Sequence, residues 1–131
     1  MIALDTSALV AVALDEAEAS SFSSVIAQNR CHVGWPTLFE TYLVLHRRVD
    51  REFAHAAISS LITAANISAV EFGQQLFASA RAAFDAYGKG RHRASLNFGD
   101  CMASAVAKSN ELPLLFKGDH FRHTDMRPAL P

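Results

Sequence analysis

Apolar positions along the chain alternate between short unbroken runs and longer stretches with helical spacing. Ile2 to Asp5 predicts a buried strand, with Thr6 or Ser7 capping the helix that follows. Ala17 to Gln28 predicts a helix that buries Phe22, Val25 and Ile26. Cys31 to Gly34 predicts a second strand, ended by Trp35-Pro36. Proline suits a helix start, where its missing N–H is not needed. The next helix then runs to about Val49 with Leu38, Tyr42, Leu45 and Val49 on one face. Glu52 to Ala65 repeats the helical pattern through Ala54, Ile58, Leu61 and Ala65. Ile67 to Phe72 predicts a third strand and Gly73 to Tyr87 a helix. Gly88-Lys89-Gly90 opens a loop to about Gly99, before a helix over Asp100 to Asn110 and a fourth strand over Leu114 to Lys117. An irregular tail is expected from Gly118.

Short apolar strands separated by helices predict a parallel sheet covered on both faces. With right-handed crossovers, the fold class is α/β, a three-layer α/β/α sandwich. The 131 residues give room for one domain, taken as 1–131. Ligands of such sheets bind beyond the carboxyl ends of the strands, at a switch point.

Composition narrows the setting. Half of the residues are apolar and 19% are charged, as in a folded globular protein. No apolar run approaches the roughly 20 residues of a membrane-spanning helix, so no membrane is expected. The apolar start lacks a basic leader and carries Asp5 in its middle, which argues against a signal peptide. Cys31 and Cys101, without metal-ligand spacing, predict free thiols in a reducing compartment, and hence a cytoplasmic protein. The net charge of −1 excludes a protein that coats nucleic acid through global charge. A nucleic-acid substrate would need a local patch, and Lys89, Arg91, His92 and Arg93 form one candidate. Arg47, Arg48 and Arg51 form another. Either could equally be a solvated surface.

The candidate chemistry lies in acids at element ends. Asp5 closes the first strand, Glu40 sits one turn into the helix after Pro36, Asp100 opens a helix after Gly99, and Asp119 follows the fourth strand. Each alone has a simpler explanation, as a helix cap, a dipole partner, an exposed helix residue or a turn residue. Together they crowd like charges at one sheet edge, a cost that a hard divalent cation relieves. A carboxylate-held metal lowers the pKa of a bound water and polarises a phosphoryl oxygen, which suits phosphodiester hydrolysis. The six histidines are too scattered for a zinc site, and His46, His55 and His123 are expected at the surface or in packing.

The segments LDTSALVA, PTLFETYLVL, YGKGRHRASLNFGDCMASAVA and LPLLFKGDHFRHTDMRPA occur in the order found in the PIN domain of VapC-type toxins. The resemblance covers nearly the whole chain and is most specific from Tyr87 to Ala107. It implies an endoribonuclease dependent on Mg²⁺ or Mn²⁺, with RNA as substrate, a cognate antitoxin as partner, and a homodimeric assembly. Asp5, Glu40 and Asp100 match the family's acidic metal-site positions, and Ser7 matches the small polar residue of its first motif. Related sequences often read Gly-Asp-Asp-Phe or Gly-Asn-Asp-Phe where this chain reads Gly118-Asp119-His120-Phe121. Three arrangements follow: Asp119 supplies a fourth carboxylate, His120 lines the site, or a second metal is weakly held. Asp125 is a further candidate. The rival functions are a non-catalytic PIN-like module that binds RNA or a partner, and a phosphotransfer domain using Asp5 as nucleophile.

Overall fold

The structure is a computed structural model and describes residues 1–131. Its elements, in chain order, are β1 (Ile2–Leu4), α1 (Thr6–Ala13), α2 (Ala19–Ala27), β2 (Cys31–Gly34), α3 (Trp35–Arg48) and α4 (Arg51–Thr63), followed by β3 (Ile67–Val70), α5 (Gln74–Tyr87), α6 (Phe98–Ser109) and β4 (Leu114–Leu115). A short 3-10 turn, His120–His123, lies in the tail that was expected to be irregular. The four strands form one parallel sheet in the order β3-β2-β1-β4.

Strand periodicity divides the core. Ile2 and Leu4 of β1 face one layer with Ala8, Leu9, Phe22, Val33 and Leu38. Ala3 faces the opposite layer, where Leu76, Ala80, Ala105 and Val106 of α5 and α6 pack. Leu114 and Leu115 split the same way. This is the expected three-layer sandwich, with both sheet faces covered. No helix is long and apolar enough to cross a membrane.

The boundaries differ from the sequence reading in informative places. Asp5 itself caps α1, with extended backbone and a carboxylate that accepts from the Ser7 amide, so neither Thr6 nor Ser7 is the cap. α6 begins at Phe98, ahead of Asp100. Asn97 accepts from the Asp100 amide, and Asp100 accepts in return from the Asn97 amide. Phe98 is 77% exposed, which hid the true start from an apolar pattern. β3 and β4 are shorter than expected because pairing stops at Val70 and Leu115. Val49 is exposed and does not extend the buried face of α3.

The topology sets the location of the site. β1, β2 and β3 step in one direction, and the chain then returns across the sheet to place β4 on the far side of β1. β1 therefore lies at the switch point, where ligands of open parallel sheets bind. α1 and α3 start at the carboxyl ends of β1 and β2. α6 runs back toward the start of β4, so its N-terminus lies at the same edge.

Candidate metal and phosphoester site

Three of the acids singled out by sequence meet in one pocket at that edge. The pocket has a volume of about 490 Å³, and its lining includes Asp5, Ser7, Glu40, Asn97, Asp100 and Lys117. Asp5 comes from the end of β1, Glu40 from the second turn of α3 and Asp100 from the first turn of α6.

Each carboxylate is held by its own partners. Asp5 Oδ2 accepts from the Ser7 amide at 3.0 Å and from the Ser7 hydroxyl at 2.5 Å. The Ser7 hydroxyl accepts in turn from the Lys117 amide at 2.9 Å, which ties the start of α1 to the exit of β4. Glu40 Oε1 accepts from the Thr6 hydroxyl at 2.5 Å. The Glu40 carboxylate packs directly on Gly99, where any Cβ would collide with it. Asp100 Oδ2 accepts from the Asn97 amide at 3.0 Å and from His120 Nδ1 at 2.8 Å.

Asp5 is buried and its pKa is raised to about 6. Burial is the main cause. Bonds from Ser7 oppose the shift, and the neighbouring charges of Asp100 and Glu40 add to it. No three Asp, Glu, His or Cys side chains are drawn into a closed metal cage. The acids line the pocket, each bonded by its own partners among Ser7, Thr6, Asn97 and His120. The donor chemistry nevertheless fits a hard divalent cation, since Asp5 and Asp100 each leave Oδ1 free of protein hydrogen bonds.

The remaining candidates divide. Asp119 does not line the pocket: its side chain is 86% exposed and faces Arg122 at 3.8 Å. His120, its neighbour, reaches the site through Asp100. Asp125 is bound to Lys108 at 2.5 Å, near the opposite end of α6. Lys89, Arg91, His92 and Arg93 lie on the loop before α6, and none of them lines the pocket. His92 is engaged in the loop itself, with Nδ1 accepting from the Ala94 amide and its ring edge-on to Tyr87. Arg47 and Arg51 are exposed and also outside, whereas Arg48 lines the pocket.

Sequence reasoning missed Thr6, Glu16, Asn97 and Lys117. Lys117 Nζ bonds Glu16 Oε1 at 2.9 Å and pairs with Glu18 Oε1 at 3.2 Å, while Arg48 Nη1 reaches Glu16 Oε2 at 3.4 Å. These hydrogen bonds raise the pKa of Lys117 and lower that of Glu16. Thr6 and Asn97 were accessible as polar residues flanking the two motif aspartates. The Glu16 pairings join residues far apart in the chain and carry no local signal.

Comparison with known proteins identifies the family and the fold. The model of the PIN domain family matches residues 2–126. Ribonuclease VapC30 of Mycobacterium tuberculosis is 39% identical over 130 residues, 98% of each chain. Ribonuclease VapC of Mycolicibacterium smegmatis is 38% identical over 124 residues, 94% of this chain and 95% of its own. Among solved structures, Mycobacterium tuberculosis VapC20, described as a Sarcin-Ricin loop cleaving toxin, superposes with a TM-score of 0.77 at 18% identity, covering 98% of this chain and 100% of that one. A chain of a toxin–antitoxin complex from Klebsiella pneumoniae gives a TM-score of 0.70 at 15% identity, with 95% and 93% covered. At these identities, the structural likenesses establish the fold.

Proposed function

The chain belongs to the PIN-domain family, and from that premise we propose that it is a toxin of the VapC type, an endoribonuclease that hydrolyses RNA phosphodiester bonds and is restrained by an antitoxin. One observation carries the reading. Asp5, Glu40 and Asp100, from three separate elements, line one pocket at the switch-point edge, where burial and then the charges of Asp100 and Glu40 disfavour ionisation of Asp5.

Asp5, Glu40 and Asp100 would hold Mg²⁺ or Mn²⁺, which supplies an acidified water and polarises a phosphoryl oxygen when bound. The chain's own residues fix the acids. Ser7 presents Asp5 by occupying only Oδ2. Thr6 and the bare face of Gly99 fix Glu40. Asn97 and His120 share Asp100 Oδ2, so His120 acts as a positioning residue and Asp119 stays outside the ligand set. The half-open pocket suits single-stranded or loop RNA, whose bases can splay away from a backbone held at the acids. His120 removes no carboxylate from the pocket, so the non-catalytic alternative is not favoured. The antitoxin would place a basic side chain among the acids, an Arg by preference, because a planar guanidinium pairs with carboxylates in a fixed geometry.

The test compares Asp100→Asn with Asp119→Ala at saturating Mn²⁺. Asp100→Asn keeps the side-chain volume and an oxygen for the Asn97 amide. It should lower RNA cleavage by more than the roughly 100-fold cost of losing an outer partner of a metal ligand, with an unchanged circular dichroism spectrum. Asp119→Ala should retain cleavage. Near-normal cutting by Asp100→Asn would remove it from the metal site.

A further inference from the structure

We propose that Arg48 and Lys117 form a clamp for the RNA backbone phosphate beside the bond to be cut, and that Glu16 holds the place of that phosphate in the free protein. The proposal rests on the endoribonuclease reading above and adds to it how a polyanion enters a site lined by acids.

The electrostatic difficulty is evident from the lining. Asp5, Glu40, Asp100 and Glu16 all face the pocket, and Arg48 and Lys117 are its only lysine or arginine side chains. The basic loop at Lys89 to Arg93 does not reach it. If protein cations draw the substrate backbone to the acids, these two are the ones in place.

Their geometry matches an anion with two acceptor oxygens. Glu16 Oε1 takes Lys117 Nζ at 2.9 Å, and Glu16 Oε2 takes Arg48 Nη1 at 3.4 Å. One carboxylate thus bridges two cations from different elements, as the two non-bridging oxygens of a phosphodiester can. Arg48 ends α3, Glu16 follows α1, and Lys117 follows β4. The position of Lys117 is tied to the acids through its backbone: its amide donates to the Ser7 hydroxyl that binds Asp5. Lysine also has three donors, so Lys117 can keep Glu18 while it exchanges Glu16 for a phosphate. Partly exposed ion pairs of this kind are weak and exchange readily.

An ordinary surface ion-pair cluster would have the same contacts, and RNA binding separates the two. Because the Ser7 contact uses the Lys117 amide, Lys117→Ala removes the ammonium and leaves the Asp5 anchor in place. A labelled single-stranded RNA is titrated with the protein in chelator, over a range of salt concentrations, so that binding is read without cleavage. Lys117→Ala and Arg48→Ala should each weaken binding about tenfold, as expected for a charge-assisted contact. Each should also lower the slope of log K against log salt by about 0.7, the contribution of one phosphate on a single strand. Lys117→Arg should keep the slope, and Glu16→Gln should bind RNA severalfold more tightly. Lys108→Ala, which loses only the distant pair with Asp125, should match wild type. Unchanged affinity and slope in the two alanine variants would overturn the clamp, and so would weaker binding by Glu16→Gln. Wild-type cleavage with Mn²⁺, measured in parallel, keeps the two readings apart. Cutting without a change in slope defeats the clamp alone, whereas no cutting at all defeats the nuclease reading and the clamp with it.

Discussion

A carboxylate such as that of Asp5, buried at the end of a strand and bonded by Ser7, carries a cost that depends on pH. Its ordinary pKa of 3.8 rises to about 6 in the folded protein. The native state therefore binds a proton that the unfolded chain has released between those values. Stability falls as pH rises through that window, and the cost is fully present above about pH 6. The shift corresponds to about 3 kcal/mol. Asp5→Asn removes the charge and keeps an acceptor for the Ser7 amide, since Asn caps helices nearly as well as Asp. In chelator, thermal melts from pH 4 to pH 7.5 should show wild type losing stability more steeply than Asp5→Asn. At neutral pH the variant should melt at the same temperature or higher. Mn²⁺ at 100 times its Kd should add about 2.7 kcal/mol to wild type by mass action, and less to the variant. Equal Mn²⁺ shifts would mean that Asp5 does not bind the ion.

The end of β1, the second turn of α3 and the first turn of α6 bring these residues together, and Gly99 shows how closely. It sits in the first turn of α6, and a Cβ there would lie 2.5 Å from Glu40 Oε1 and Cδ. Gly99→Ala should favour the helix slightly by propensity. It should also push the Glu40 carboxylate away from Thr6, and a displacement near 1 Å can cost about 100-fold in rate. A variant that melts within a few degrees of wild type and cuts RNA at the wild-type rate would show that this approach has no role in the site. At this scale the sequence was informative where one element speaks for itself. Helical spacing placed six helices, short apolar runs placed four strands, and Asp5, Glu40 and Asp100 stood out at element starts and ends. Boundaries were less legible where side-chain bonding overrides apolar pattern, as with Asp5 capping α1 and Asn97 starting α6 beneath an exposed Phe98. The fourth position was not legible. Asp119 and His120 are adjacent in sequence, and only the 3-10 turn decides that His120 faces Asp100 while Asp119 faces solvent. The Glu16 bridge depends on three chain segments meeting, which no local pattern records.

Across the whole molecule, charge is concentrated by position, since the net charge is only −1. In the proposed reading, the acid pocket faces a demand from two directions: a metal ion for catalysis and an antitoxin guanidinium for inhibition. Both would neutralise Asp5, Glu40 and Asp100, so they should compete. Linkage makes the competition reciprocal, because whatever factor Mn²⁺ takes from antitoxin affinity, the antitoxin takes from Mn²⁺ affinity. The antitoxin is sought as the product of the neighbouring reading frame, by co-expression and recovery of a complex that suppresses cleavage. Saturating Mn²⁺ should then weaken the complex roughly 5- to 150-fold, the range of typical coupling between ligands. Asp5→Asn should reduce that factor, since it removes a charge on which both partners draw. Replacing the antitoxin's inserted Arg by Ala should weaken the complex in chelator and abolish its sensitivity to Mn²⁺. An affinity indifferent to Mn²⁺ would place the antitoxin's basic group elsewhere, and its inhibition would then come from covering the pocket without entering it.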